Sequence, residues 1–288
     1  MRSRNIAWII WHDKLLSRFS TILPDSADTR QVLKKLLWKN DRDFNKDEIN
    51  DQRYFLVAEH NDLITKARHD LNARELKIMD YVISKIKPDD KNFNVIQTSM
   101  YELSNVLELK RSGRTYSQLA QNLNDMRAKS VRIYNEVERS ITMTGWFERA
   151  KVWENGKIEL KINEDFVPFL LRLKDNGHYT QYLLHDTVQL KSKYAILLYK
   201  LMRESDKDNG QSIPIVQGAP DDFKKWLGAP KNYAYKDLKK SVLIRSIEEI
   251  NMKIDDMDLE LFQAKRGRQV VQVEIHNNFA RRSSTKDL

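Results

Sequence analysis

One α+β module used twice is the fold this sequence predicts, and three observations predict it. An order of helix, strand, short helix, long helix and β hairpin runs from about residue 55, and again after residue 178. In each pass the long helix is amphipathic. Leu119, Leu123 and Met126 share one side of the first, while Leu243, Ile247, Ile250 and Ile254 recur at helical spacing in the second. Basic residues gather beside these helices: 105–132, 231–245 and 265–282 are each net +4, whereas the rest of the chain is net −3. This order is that of a winged helix, a helix-turn-helix followed by a β wing. The predicted fold class is therefore α+β, with two tandem winged-helix domains. A single mixed α+β domain is the alternative, because the repeat is one of element order and not of residues.

The elements follow from local chemistry. Asn72 can cap a helix over residues 73–87, with Leu76, Met79, Ile83 and Ile86 inward and Pro88 as its stop. Residues 93–97 read as a short strand. Thr98 or Ser99 then caps a short helix over 100–107, and a basic turn, Lys110-Arg-Ser-Gly-Arg114, leads into the long helix of 115–129. Residues 131–134, 142–153 and 157–162 alternate like strands, with Glu154-Asn-Gly-Lys157 as a hairpin turn. After a connector around 164–177, the second pass has a helix at 193–203 and a strand at 213–216. A helix follows that opens at Pro220 and ends at Leu227-Gly228. The long helix of 235–253 comes next, then strands at 258–264 and 269–276 around the basic tip Lys265-Arg-Gly-Arg268. The expected domains are an extension (1–54), a first winged helix (55–165), a connector (166–178), a second winged helix (179–280) and a tail (281–288). Within the extension, 28–37 is a candidate helix. Trp8 and Trp11 are expected to dock on the main body or, alternatively, to form a partner-binding helix.

Composition narrows the function. A net charge of +9 suits a polyanionic partner, since phosphate neutralisation releases counterions. With no cysteine, disulfide and thiolate chemistry are excluded and a reducing compartment fits. The apolar run Ile6-Ala-Trp-Ile-Ile-Trp11 is too short to span a bilayer and has no small-residue cleavage site after it, so no membrane association and a cytoplasmic location are expected.

The chemistry sits on the two long helices. Opposite the Leu119 stripe stand Arg114, Ser117, Gln121, Asn124 and Ala128, with Gln118 and Asp125 flanking. Glutamine and asparagine can pair bidentately with adenine and arginine with guanine, so this side is a candidate base reader, with Lys110 and Arg111 beside it. An ordinary polar surface is the plain alternative. In the second unit Lys231, Asn232, Tyr235, Lys236 and Lys240 precede or open the helix. The lysines suit phosphates, and Asn232 and Tyr235 suit base or backbone hydrogen bonds. Lys239 falls between two apolar arcs, Leu238/Val242 and Leu243/Ile247/Ile250, and is the weakest candidate. Lys265, Arg266 and Arg268 suit a wing touching backbone or minor groove.

Enzyme chemistry finds no support. The six histidines include no His-x-His pair, and no Gly-x-x-x-x-Gly-Lys loop or zinc spacing is present. Carboxylate pairs such as Asp221-Asp222 lie at turns or helix ends, where capping explains them. No catalytic residue, metal or cofactor is expected.

The second half carries Lys191-Ser-Lys-Tyr-Ala-Ile-Leu-Leu-Tyr-Lys-Leu-Met-Arg203, Phe223-Lys-Lys-Trp-Leu227 and Tyr235-Lys-Asp-Leu-Lys-Lys-Ser-Val-Leu243, with Ile247-Glu-Glu-Ile-Asn251 after them. These blocks resemble the Rep replication initiators of theta-replicating bacterial plasmids. The stretch Asn61 to Ile78 looks like the start of their first domain, and the likeness spans about 55–280. It implies winged helices that bind directly repeated origin sequences, called iterons, in double-stranded DNA. It further implies non-catalytic bending and opening of the origin, and recruitment of the host replication initiator and replicative helicase. A homodimer in equilibrium with the monomer would repress the protein's own promoter. A winged-helix transcriptional repressor without a replication role is the alternative, and a partner-binding scaffold is a third.

Overall fold

The structure is a computed structural model that describes residues 52, 54–86, 90–110, 112–135, 138–176, 178–206 and 213–279. The chain divides between Gln52 and Arg53, and apart from Gln52 the described residues belong to the second unit. The candidate helix at 28–37, Trp8 and Trp11, Pro88 and the tail lie outside the described residues. Among the described residues no helix is long and apolar enough to cross a membrane.

The unit opens with β1 (Leu56–His60), α1 (Asn61–Thr65) and the short β2 (Ala67–Arg68). The first module follows. Its opening helix, α2 (Ala73–Ser84), has Asn72 as N-cap in a full capping box: the Asn72 side chain accepts from the Glu75 amide, and Glu75 accepts from the Asn72 amide at 2.7 Å. Leu76, Met79 and Ile83 are buried as expected, and Ile86 is half-buried. The helix ends at Ser84, short of residue 87, where Lys85 caps it and sends its ammonium to the buried Glu102 at 3.0 Å. β3 (Ile96–Ser99) starts three residues and ends two residues later than expected, because its partner strand is in register from Ile96↔Leu160 to Ser99↔Lys157. Ser99 caps α3 (Met100–Val106), and Ser112 caps α4 (Gly113–Ala128).

Four strands follow: β4 (Ser130–Asn135), β5 (Ser140–Gly145), β6 (Phe147–Val152) and β7 (Lys157–Ile162). The expected single strand over 142–153 is thus two strands in different sheets, β2-β4-β5 and β3-β7-β6. Consecutive Trp146 and Phe147 are both buried, which breaks the two-residue alternation, and the Trp146 ring stacks on Phe166 at 5.1 Å. The chain must turn there.

The connector is helical: a 3-10 turn (Glu164–Phe166), then α5 (Val167–Leu170) and α6 (Leu173–Asn176). β8 (Tyr179–Leu183) returns to pair antiparallel with β1, and α7 (Leu184–Gln189) packs on α2. α8 (Lys193–Ser205) follows, packing on α2, α1 and β8 on one hand and on later elements of the chain on the other. β9 (Ile215–Gly218) starts after Pro214, whose missing N–H cannot join a ladder. α9 (Pro220–Leu227) ends on Gly228 at φ 58°, a left-handed cap that glycine adopts without penalty.

The long helix of 235–253 forms as one rod with an interruption. α10 (Tyr235–Leu238) and α11 (Arg245–Lys253) are joined by a π-helical segment, Lys239–Ile244. In a regular helix successive residues turn by about 100°, which would leave the Leu238/Val242 arc well apart from the Leu243/Ile247 arc. A π turn takes up an extra residue and absorbs roughly that rotation. Both arcs therefore face the core: Leu238, Val242, Leu243, Ile247 and Ile250 are all buried. The module closes with β10 (Leu259–Arg266) and β11 (Gln269–Asn277).

The two modules share one sheet topology. The strands order β3-β7-β6 in the first and β9-β11-β10 in the second, so the strand before the short helix pairs with the last strand each time. The β4–β5 hairpin is the first module's addition. The fold is α+β with two tandem winged helices.

Candidate nucleic-acid interface

In the first module α4 lies across the core through Leu119, Leu123 and Met126, all at most 1% exposed. Arg114, Ser117, Gln118, Gln121, Asn124 and Ala128 are exposed, which is the division the periodicity predicts. Lys110 is also exposed, in a turn that the Thr115 hydroxyl holds by donating to the Lys110 carbonyl at 2.6 Å. Arg111 lies outside the described residues. Two of the amides already have partners. Gln121 Nε2 donates to Asp125 Oδ1 at 2.6 Å, and Gln118 Oε1 accepts from Arg74 Nη1 at 3.2 Å. The bond to Asp125 uses one of the two Gln121 N–H donors, leaving Oε1 and the second N–H for a base edge.

In the second module Lys231, Asn232, Lys236 and Lys240 are exposed around the first turns of α10. Tyr235 is half-buried, and its hydroxyl donates to Gln263 Oε1 at 2.8 Å; burial raises its pKa. Lys239, the weakest candidate, is half-buried and donates to the same oxygen at 3.2 Å. Tyr235 and Lys239 thus fasten the start of the reading helix to β10. Lys265, Arg266 and Arg268 are exposed on the hairpin. Its turn is only Gly267-Arg268, with Gly267 at φ 62°, so Lys265 and Arg266 belong to β10 rather than to the tip. A register shift between Ala264 and Lys265 bends the strand just before them.

Sequence reasoning passed over two groups that the structure brings to the same elements. One is Arg74, half-buried at the start of α2 and bonded to Gln118 on the reading helix. The other is the β6–β7 hairpin, the counterpart of the β10–β11 wing in sheet order. At its end two ammonium groups approach the Trp153 ring, Lys151 Nζ at 4.4 Å and Lys157 Nζ at 5.0 Å from its centroid. Lys157 also pairs with Glu159 at 3.3 Å. The signal was present in Lys151-Val-Trp-Glu-Asn-Gly-Lys157, but alternation alone does not say which of the two first-module hairpins is the wing.

Two helix-turn-helix units, each with an amphipathic second helix and a hairpin closing a sheet of the same order, define a tandem winged-helix DNA-binding protein. The chain belongs to the initiator replication protein family: residues 56–203 match the family's first winged-helix model (Initiator Replication protein, WH1), and residues 220–277 match its second (Initiator Rep protein, WH2). Among solved structures, the chain is similar to the Pi initiator protein crystallised in complex with iteron DNA. That match has a TM-score of 0.63 and 17% identity, and covers 78% of this chain and 97% of that one. Domains 2 and 3 of RctB match with a TM-score of 0.44 and 11% identity, over 75% of this chain and 80% of that one.

Proposed function

We propose that this protein initiates plasmid replication by binding the iterons of a double-stranded origin. The observation that carries the reading is the pair of exposed reading helices, α4 and α10–α11, set in sheets of the same order within a chain of the initiator replication family. The Pi initiator, which shares the fold, was crystallised on iteron DNA. The two DNA-binding units fall within 55–165 and 179–280. Arg114, Ser117, Gln118, Gln121 and Asn124 meet base edges in one major-groove segment, with Lys110 and Arg111 on the neighbouring phosphates. Lys231, Lys236 and Lys240 clamp phosphates of the next segment, where Asn232 and Tyr235 add hydrogen bonds, and Lys265, Arg266 and Arg268 hold the flanking backbone. Bending the duplex to fit both units costs several kcal/mol, which the added contacts offset, and the strained DNA then opens more readily nearby. The opened origin takes on the host initiator and replicative helicase. The role is non-catalytic and cytoplasmic.

A dimer that represses the protein's own promoter fits one further observation. Among the described residues β5 is an edge strand of the sheet β2-β4-β5, and its sequence, Ser-Ile-Thr-Met-Thr-Gly, has no charge. Ile141 and Met143 are 58% and 69% exposed, beside Tyr134 at 44%. An uncharged apolar edge readily pairs with another strand, and two-fold pairing with a second copy closes the contact. Ile141→Lys with Met143→Lys should hold the protein monomeric by sedimentation velocity.

A gel shift on the repeats upstream of the gene, at two salt concentrations, tests the main reading. Six to ten phosphate contacts predict a loss of about 10³–10⁵ in affinity between 50 and 200 mM salt. Binding indifferent to salt would point to a scaffold, and a plasmid that persists after deletion of this gene would exclude the initiator role.

A further inference from the structure

The two reading helices are tied to each other by a chain of polar bonds. α2 supports α4, and from α2 Lys77 Nζ donates to the Val188 carbonyl at 2.6 Å. The next carbonyl, that of Gln189, accepts from Lys253 Nζ at 2.9 Å, and Lys253 ends α11. Two adjacent carbonyls at the end of α7 thus take one lysine from each module. Glu249 of α11 accepts from the amides of Lys191 and Ser192 just beyond them. α8 repeats the pattern deeper in the core. Its Lys200 side chain, 8% exposed, donates through Nζ to Asp80 Oδ1 of α2 at 2.6 Å and lies 3.1 Å from Glu59 Oε1 of β1. The Tyr182 hydroxyl of β8 donates to Glu59 Oε1 and lies 3.2 Å from Asp80 Oδ1. One turn on, Arg203 grips Asp256, just past α11, with two bonds of 2.6 Å and reaches Asp186 of α7 at 3.3 Å.

Burial works against a charge on Lys200, but Asp80 and Glu59 outweigh it and raise the pKa, so the ammonium is permanent. Apolar faces can slip past one another among near-equal packings, whereas hydrogen bonds to fixed acceptors have a set length and direction. Resting on the iteron reading above, we propose that this polar clasp fixes the distance and rotation between the two reading helices, so that the protein selects iterons by the number of base pairs between their two contacted segments. Each added base pair moves the second segment by about 3.4 Å and turns it by about 34°. Held readers cannot follow that change without twisting the DNA or releasing one segment. Lys77, Lys200 and Lys253 are positioning residues in this scheme and touch no DNA.

The test measures fluorescence anisotropy of the full-length protein on three duplexes: the native iteron, and versions with one base pair inserted or removed between the two segments protected in a footprint. Wild type should bind the altered duplexes at least about tenfold more weakly, the scale of a mismatched site. Lys77→Met with Lys253→Met removes the two lysine bridges while leaving the buried ion cluster whole. This variant should lose the discrimination to roughly threefold or less, with the salt slope unchanged because no phosphate contact is removed. Lys200→Met should relax it further. That variant leaves two buried carboxylates and can fail to fold, in which case the Lys77/Lys253 pair decides. Full discrimination in the Lys77/Lys253 variant, or equal wild-type binding to all three duplexes, overturns the clasp. Absence of any salt-sensitive wild-type binding overturns the iteron reading itself, which separates the two failures.

Discussion

An exposed lysine in the first turn of a reading helix and an exposed glutamine midway along one meet DNA in different ways. Lys236 has no base-reading geometry to offer, only charge, so Lys236→Ala should weaken binding to every sequence and lower the salt slope by about 0.9. Gln121 keeps Oε1 and a second N–H for an adenine edge beside its bond to Asp125, so Gln121→Ala should relax preference at particular base pairs, at about 1–3 kcal/mol each. Titration on a panel of single-base iteron variants separates these outcomes, and equal losses everywhere for both substitutions would refute the division. His69 makes a different prediction. Burial, with Lys200 and Lys193 nearby, lowers its pKa from 6.5 to about 3, and its ring sits edge-on to Trp146 at 5.4 Å. The unfolded chain therefore binds a proton below pH 6.5 that the native state refuses, so stability falls as the pH drops from 6.5 toward 3. Well inside that window the native state binds about one proton fewer than the unfolded chain, so the slope should approach about 1.4 kcal/mol per pH unit. Denaturant melts at pH 7 and pH 5 should show this loss in wild type and a smaller one in His69→Phe.

At the scale of elements, the first wing and the interrupted reading helix behave in ways the bare sequence does not announce. The β6–β7 hairpin holds the place of the β10–β11 wing, with Lys151 and Lys157 flanking Trp153. If it meets the backbone as a wing, Lys151→Ala with Lys157→Ala should lower the salt slope by roughly 2 while leaving the melting temperature nearly unchanged. The π segment of Lys239–Ile244 brings two apolar arcs into one phase by taking up an extra residue. Deleting Ser241 should let a regular α-helix form with both arcs still inward, and the variant should melt cooperatively. Deleting Glu248, within the regular α11, should rotate the following Ile250 out of the core and destabilise the domain by several kcal/mol. Circular dichroism melts of the two deletions would decide. Comparable collapse of both would mean that the π turn has another cause.

Across the whole molecule, the caps and turns were legible because their causes are local. Asn72, Ser99, Pro220 and Gly228 each act within a few residues, and the structure places them where spacing predicts. The apolar stripes of α4 and α11 were equally plain, since 3.6-residue periodicity needs no partner to be seen. The division of 142–153 into two strands was not, because a strand's sheet is chosen by partners far away in the chain. Nor was the return of β8 to β1, which carries the chain back across the first module after the connector. The candidate site shows the same split. Which side of α4 is exposed follows from the stripe beneath it, but the engagement of Gln118 by Arg74 and of Tyr235 by Gln263 comes from residues 44 and 28 positions away. By itself the sequence determined the two modules, their order and the concentration of charge on them, because propensity, periodicity and charge are properties of short windows. Only the tertiary structure decided how the modules are coupled. Lys200, Lys77, Lys253 and Arg203 look in the sequence like any other cations, and become a clasp only where α2, α7, α8 and α11 converge.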